Sequence, residues 1–286
     1  MRRFAPFLAL AVLLAGCTTT ATPVGGQPRP KRITSVVSLS PSTTELVTTI
    51  NYTGILKGRT ASDNYPKSVE TVPVVASVKP DYEQIKTISP GLIVYDASLY
   101  NAGDIQKIKE LGFDTFAIDA NTIDDYTTEL YKLGSLLAGE TSVSDYIDRV
   151  LSSRSSAMGD APSPKPKVAV ILPGSGGEHY IAGTKSFVAD VVRASGGEPV
   201  GPDADKFVPL SPESIVGQAP DTIVIGAKAD NAAAQVGLIL NDARLRSLPA
   251  IVNKRIIPID EDVLARRGSR VDKLIDNLRL GFHKQP

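Results

Sequence analysis

The sequence predicts an α/β protein of two similar lobes, each a mainly parallel sheet flanked by helices, joined by a single long helix. Three observations predict it. A motif recurs at an offset of 130 residues, from Glu83 to Glu213. Short apolar runs alternate with helical periodicity, and one amphipathic stretch lies between the two copies of the motif.

The first copy reads Val78-Lys79-Pro80-Asp81-Tyr82-Glu83-Gln84-Ile85 and continues to Pro90-Gly91-Leu92-Ile93-Val94. The second reads Val208-Pro209-Leu210-Ser211-Pro212-Glu213-Ser214-Ile215 and continues to Pro220-Asp221-Thr222-Ile223-Val224. Asp81 and Ser211 are of the type that caps a helix N-terminus. Pro212 falls at the first helical position, where its missing N–H costs nothing. The proline seven residues after each glutamate ends a short helix, and the apolar run behind it reads as a buried strand. Each copy then leads through a helical stretch to a strand ending Ile118-Asp119 or Ile259-Asp260.

Further strands are expected at Ile33–Leu39, Thr115–Ile118, Val168–Leu172 and Arg255–Ile259. Helices are expected at Thr43–Ile50, Asp104–Leu111, Ile123–Leu137, Ser186–Ala194 and Val271–Leu280. Between the lobes, Val143, Ile147, Val150 and Leu151 recur at helical spacing, with Asp145, Asp148 and Arg149 on the other face. Ala161-Pro162-Ser163-Pro164-Lys165-Pro166 stops that helix. The expected division is an N-terminal lobe over 33–139, a bridging helix over 140–160 and a C-terminal lobe over 161–286. One helix in place of several hinge strands predicts a stiff pair with limited closure.

The start of the chain reads as an address. Arg2 and Arg3 precede an apolar run, Phe4 to Leu14, too short for a mature span of ~20 residues. This is the shape of a secretory signal. Its ending, Leu14-Ala15-Gly16-Cys17, resembles a bacterial lipobox. That resemblance implies a signal peptide over 1–16 and a lipidated Cys17, followed by a flexible tether over 17–32, rich in Thr, Pro and Gly.

Composition excludes several classes of function. Lys+Arg and Asp+Glu are both 31, which argues against a general nucleic-acid binder. A single cysteine excludes an intramolecular disulfide and a thiolate cluster, and two histidines exclude a three-histidine metal site. Pro173-Gly174-Ser175-Gly176-Gly177 does not match the nucleophile elbow. Thr184 between Gly183 and Lys185 spoils a P-loop. No nucleophile–base–orienter set stands out, so an enzyme is not expected.

From Arg32 to Gly281 the sequence resembles the helix-bridged class of extracytoplasmic solute-binding proteins, which deliver cobalamin, ferric siderophores or haem to ABC importers. Val37-Ser38-Leu39-Ser40-Pro41-Ser42-Thr43-Thr44-Glu45-Leu46 and the two glutamate repeats carry the resemblance. Gly183 to Gly197 and Arg266-Arg267-Gly268-Ser269-Arg270 add to it. It implies a ligand cleft between the lobes and no cofactor, the ligand itself being a cobalt corrinoid or iron chelate. It implies permease and ATPase subunits as partners, with Glu83 and Glu213 docking on the permease. It further implies a monomer in the cell envelope, outside the cytoplasm, touching the membrane only through its lipid.

Within that class the cobalamin-binding branch is most similar position by position. The similarity implies ligand contacts at Tyr180, Phe207, Asp262 and Arg266: two aromatics for a macrocycle and polar groups for its amide rim. Asp63-Asn64-Tyr65-Pro66 resembles the loop after that branch's second strand and adds Tyr65. Asp96 follows a strand's C-terminal end, where open α/β sheets place ligands. The N-terminal lobe departs from the branch. Ser62 stands in place of a tyrosine, and Ser77 or Val78, and Asp96, in place of tryptophans. Two other chelates therefore stay open. Haem would take an axial donor from Tyr65, Tyr95, Tyr180 or His179. An anionic ferric siderophore would be drawn by Arg59, Lys79, Arg266, Arg267 and Arg270. A surface lipoprotein with no transport role is the alternative of a different class.

Overall fold

The structure, a computed structural model, describes residues 33–51, 54–174 and 178–283. The expected signal peptide, Cys17 and the tether lie outside the described residues.

The N-terminal lobe is a five-stranded parallel sheet in the order β3-β2-β1-β4-β5. Its strands are β1 (Val36–Ser38), β2 (Leu56–Thr60), β3 (Val74–Ala76), β4 (Leu92–Asp96) and β5 (Thr115–Ile118). The helices between them are α1 (Pro41–Ile50), α2 (Tyr82–Ile88) and α3 (Ala102–Glu110), with α4 (Ile123–Leu136) after β5. Val36, Val37, Ile93 and Val94 are fully buried because helices cover both faces of the sheet. Alternation divides them. Val36 and Val94 join a core with residues of α1 and α4, while Val37 and Ile93 join one with residues of α2 and α3. The strand order reverses between β1 and β4, which opens a crevice at their C-terminal ends. Ser40 starts α1 there by accepting from the Thr43 amide, with Pro41 next to it.

Helix α5 (Glu140–Gly159) follows and buries Val143, Tyr146, Ile147, Val150 and Ala157. The C-terminal lobe contains strands β6 (Lys167–Leu172), β7 (Tyr180–Ala182), β8 (Glu198–Pro199), β9 (Phe207–Pro209), β10 (Thr222–Gly226) and β11 (Ile256–Ile259). Its helices are α6 (Phe187–Ala194), α7 (Pro212–Gln218), α8 (Ala232–Leu240), α9 (Pro249–Val252), α10 (Glu261–Leu264) and α11 (Val271–His283). α5 packs on α1 and α4 from one lobe and on α6 and α11 from the other. One apolar core runs through it, from Val36 and Leu46 by way of Ile147 and Val150 to Val168 and Leu274. Separating the lobes would open that core, which gives the expected stiffness a physical basis.

The second sheet has the order β11-β10-β6-β7-β9, with β8 beside β6. β10 is parallel to β6 and β11, but β7 runs antiparallel to both β6 and β9. The sheet is mainly parallel, as the sequence predicts, and β7 and β9 are additions that it did not mark. β7 and β9 are three residues each, too short to show a period. The helical stretch expected between Val224 and Ile259 contains α8, whose bounds the sequence did not mark because its Ala-rich start has no amphipathic stripe.

The repeat holds down to the backbone. Asp81 accepts from the Gln84 amide and Ser211 from the Ser214 amide. α2 and α7 are both seven residues long and bury Ile85 and Ile215. Each ends on a left-handed residue just before its proline, Ser89 at φ 49° and Ala219 at φ 46°.

Candidate ligand cleft

A cavity of about 360 Å³ lies between the lobes. Ser98 and Asp119 line it from the loops after β4 and β5. Asp205, Lys206, Phe207 and Arg267 line it from the C-terminal lobe. Phe207 pairs with Ala182, and Pro209 with Tyr180, across the β7–β9 ladder. Side chains alternate along a strand, so Tyr180 and Phe207 share one face. That face is the cavity wall at Phe207, and Tyr180 on it is 44% exposed. The loop before Phe207 is held by a close approach. A Cβ on Gly183 would meet the Ala204 carbonyl oxygen at 2.1 Å, while the Gly183 amide donates to the Lys206 carbonyl. Gly183→Ala is expected to cost about 1–3 kcal/mol by overpacking, read as a lower urea midpoint.

His179 precedes Tyr180 and points to the opposite face. It is 4% exposed, and its Nδ1 accepts from the Gly174 amide at 3.2 Å. Its Nε2 lies 3.4 Å from Asp242 Oδ2, and burial pushes the imidazole pKa down. His179 is therefore a packed side chain, not an axial donor in the cleft. Tyr95 packs edge-on against Tyr100 at 6.3 Å. Tyr100 donates to the Leu39 carbonyl at 2.6 Å, and burial with the nearby Asp63 charge pushes its phenol up to about 12.

Below the cavity the segment Arg266–Arg270 enters the N-terminal lobe and builds a clasp. Arg267 and Asp96 are 8% and 5% exposed and form a two-point ion pair, with Arg267 Nε at 3.2 Å from Asp96 Oδ2. Arg267 also donates to the Ala120 carbonyl. Asp96 takes further hydrogen bonds from Ser42 and from the Ser98 amide and hydroxyl. Glu45 on α1 is 1% exposed. It accepts from Arg270 at 2.6 and 3.0 Å and from the Ser269 amide at 3.2 Å, with Arg266 at 3.5 Å. Gly268 leaves room for that carboxylate, since a Cβ there would lie 2.4 Å from Glu45 Oε2. The Gly268 carbonyl accepts from Tyr126 at 2.6 Å and from Tyr146 at 3.1 Å. Burial pushes both phenols up, so they stay protonated donors.

An outer layer covers the clasp. Arg266 donates to Asn64 Oδ1 at 2.7 Å and pairs with Asp262 at 2.6 Å, and Asn64 donates back to Asp262 at 2.7 Å. The Tyr65 ring lies under the Arg270 guanidinium at 4.5 Å. The loop that presents Asn64 and Tyr65 is set by two buried charges. Arg59 donates to the carbonyls of Thr60, Glu70 and Val72. Asp63 accepts from Thr44 and Thr60, and burial pushes its carboxyl up.

The residues read as ligand contacts thus divide. Phe207 lines the cavity and Tyr180 shares its face. Asp96, Asp262, Arg266 and Tyr65 are brought together, but in the clasp between the lobes and not on the cavity wall. The physical reason is desolvation: charged groups withdrawn from water need partners, and these supply one another. Of the basic residues expected to draw an anion, Arg59 is spent on carbonyls and Arg266, Arg267 and Arg270 on carboxylates, while Lys79 is exposed. Glu45, Asn64, Tyr126 and Tyr146 were missed. Only Glu45 left a signal, as a charge next to Leu46 on a helix that is otherwise apolar or small and polar.

Glu83 and Glu213 occupy the same position on α2 and α7, and both are exposed. Glu83 pairs with Lys86 at 3.0 Å, and Glu213 accepts from Ser211 at 3.3 Å. Among the described residues, no helix is long and apolar enough to cross a membrane, and no group of three metal-ligating side chains occurs.

Two repeated lobes, a continuous core through one helix and a cavity at the switch-point ends of the strands define a two-lobed binding protein. The chain belongs to the periplasmic binding protein family, whose pattern it matches over residues 36–263. It is 24% identical over 261 residues to an uncharacterized ABC transporter substrate-binding lipoprotein, YvrC, of Bacillus subtilis (strain 168), covering 87% of this chain and 79% of that one. It is 23% identical over 260 residues to a cobalamin-binding protein of Halobacterium salinarum, covering 87% of this chain and 69% of that one. In fold it is similar to the periplasmic haem-binding protein HutB of Vibrio cholerae, with a TM-score of 0.75, 19% identity, and coverage of 87% of this chain and 99% of that one.

Proposed function

We propose that this chain is the extracytoplasmic binding subunit of an ABC importer, taking a metal chelate between its lobes and handing it to the permease. The observation that carries the reading is the cavity between two lobes that each present an exposed glutamate at the same helical position. A two-fold permease surface would meet those glutamates symmetrically. A cobalt corrinoid is the favoured ligand among corrinoid, haem and ferric siderophore. Tyr180 and Phe207 offer an aromatic wall to the edge of a macrocycle. The cobalamin-binding relative supports the same choice. At about 360 Å³ the cavity sits low in the ~300–1,000 Å³ range of small-molecule pockets, so a corrinoid would seat an edge and leave its bulk at the mouth.

Lipidation at Cys17, after loss of 1–16, would hold the subunit beside its permease and raise its effective concentration there. The leader residues and the lipoprotein relative support that anchor.

The test is calorimetric titration of the protein, from Thr18 onward, with cyanocobalamin, cobinamide, haemin and ferric siderophores. One-to-one corrinoid binding is the expected result. Tyr180→Ala with Phe207→Ala should weaken it about 10- to 100-fold, as the loss of two aromatic contacts predicts. Binding of none of these chelates would overturn the proposal and favour a surface lipoprotein outside transport.

A further inference from the structure

We infer that the cleft selects its ligand by charge, accepting a neutral or cationic chelate and rejecting polyanions, with Asp119 and Asp205 as the deciding residues. This rests on the cavity between the lobes being the ligand site.

The argument is a charge balance of the cavity and the clasp beneath it. Three arginines within five residues would ordinarily make an anion receptor. Here each one already has its carboxylate: Arg267 has Asp96, Arg270 has Glu45 and Arg266 has Asp262. Only Arg267 of the three also lines the cavity. It cannot exchange its partner cheaply. A ligand carboxylate that took Arg267 would leave Asp96 buried and uncompensated, and that penalty exceeds the gain of an equivalent pair.

The charges left facing the cavity are Asp119, Asp205 and Lys206. None of the three forms an ion pair among the described residues, and all three are exposed. The lining therefore carries one more free carboxylate than free ammonium. Asp119 comes from the N-terminal lobe and Asp205 from the C-terminal lobe, so a chelate between the lobes meets a carboxylate on each side. Like charges at that range suppress binding of the wrong partner, and opposite charges raise the encounter rate.

The test compares chelates that share a scaffold and differ in charge. The purified full chain is titrated at low ionic strength with aquacyanocobinamide, a cation, and with the corrin heptacarboxylate that has free acids in place of the amides. Cationic ferrioxamine B is set in the same way against its N-succinyl derivative, in which an amide and a free carboxylate replace the ammonium. The expected result is that the cationic form binds at least about tenfold tighter within whichever scaffold binds, and that added salt shrinks the difference. Asp119→Lys with Asp205→Lys should reverse the order, circular dichroism confirming that the variant is folded. Equal or tighter binding of the anionic form by the unaltered protein overturns the inference while leaving the cleft as the ligand site. Binding of neither scaffold removes the ligand site itself and the inference with it. Should the double variant fail to fold, the comparison on the unaltered protein decides alone.

Discussion

Replacing Glu45 by alanine will destabilise the protein by about 3–5 kcal/mol, the scale of breaking a buried ion pair from one side. The carboxylate is 1% exposed and holds Arg270, Arg266 and the Ser269 amide at once. Its removal takes the close carboxylate from Arg270, whose side chain is only 12% exposed, and leaves the Ser269 amide without its acceptor, while Arg266 keeps Asp262. Against a typical total of ~5–15 kcal/mol, this is a large fraction of the stability. Urea denaturation gives the measurement. Glu45→Gln keeps an acceptor for Ser269 and should fall between the alanine variant and the unaltered protein. A double-mutant cycle with Arg270→Met should return a coupling of at least ~1 kcal/mol, because each partner's loss is partly forgiven once the other is gone. A loss below ~1 kcal/mol for Glu45→Ala would mean that water reaches the clasp and that the lobes are held by the apolar core alone.

Charge reversal at both Glu83 and Glu213 is expected to abolish uptake of the ligand while leaving its affinity for the isolated protein within about twofold. The two carboxylates sit at equivalent places on α2 and α7, in the open, and neither lines the cavity. Folding should barely change. The Glu83–Lys86 pair is exposed and worth ~0–1 kcal/mol, and the helix-dipole benefit at each N-terminus is worth ~0.3–1 kcal/mol. Single reversals should each leave partial uptake, because one lobe would still engage its half of the permease. The assay is accumulation of labelled ligand in cells carrying the variant as their sole copy, beside a titration of the purified variant. Unimpaired uptake by the double variant would refute the docking role, whatever the affinity.

Much of the fold was legible before any coordinates. The caps at Asp81 and Ser211 and the prolines after them mark α2 and α7, because capping and proline sterics act within a few residues. The apolar stripe Val143, Ile147 and Val150 marks the helix that runs Glu140–Gly159, because the helical period is local too. α11 carries the same signal through Leu274, Ile275 and Leu278, and runs three residues beyond the expected end because Phe282 extends its buried face. β7 and β9 were not legible. Tyr-Ile-Ala and Phe-Val-Pro have no period of their own, and they become strands by pairing with β6 and with each other.

The site divides along the same line. The resemblance to the cobalamin-binding branch marked Tyr180 and Phe207 as aromatic contacts, and residue type marked Arg266, Arg267 and Arg270 as a concentration of positive charge. What the arginines do depends on groups far away along the chain. Asp96 lies 171 residues before Arg267, and Glu45 lies 225 residues before Arg270. A guanidinium in a sequence reads equally as an anion receptor or as half of an ion pair, since both use the same donors. Caps, helical periods, the repeat and the bridge between its copies follow from interactions spanning a turn or two, and the sequence alone determined them. The pairing of three arginines with buried carboxylates, and the cavity left above them with its excess of free carboxylates, was decided only when the tertiary structure removed those groups from water and made every unpaired charge costly.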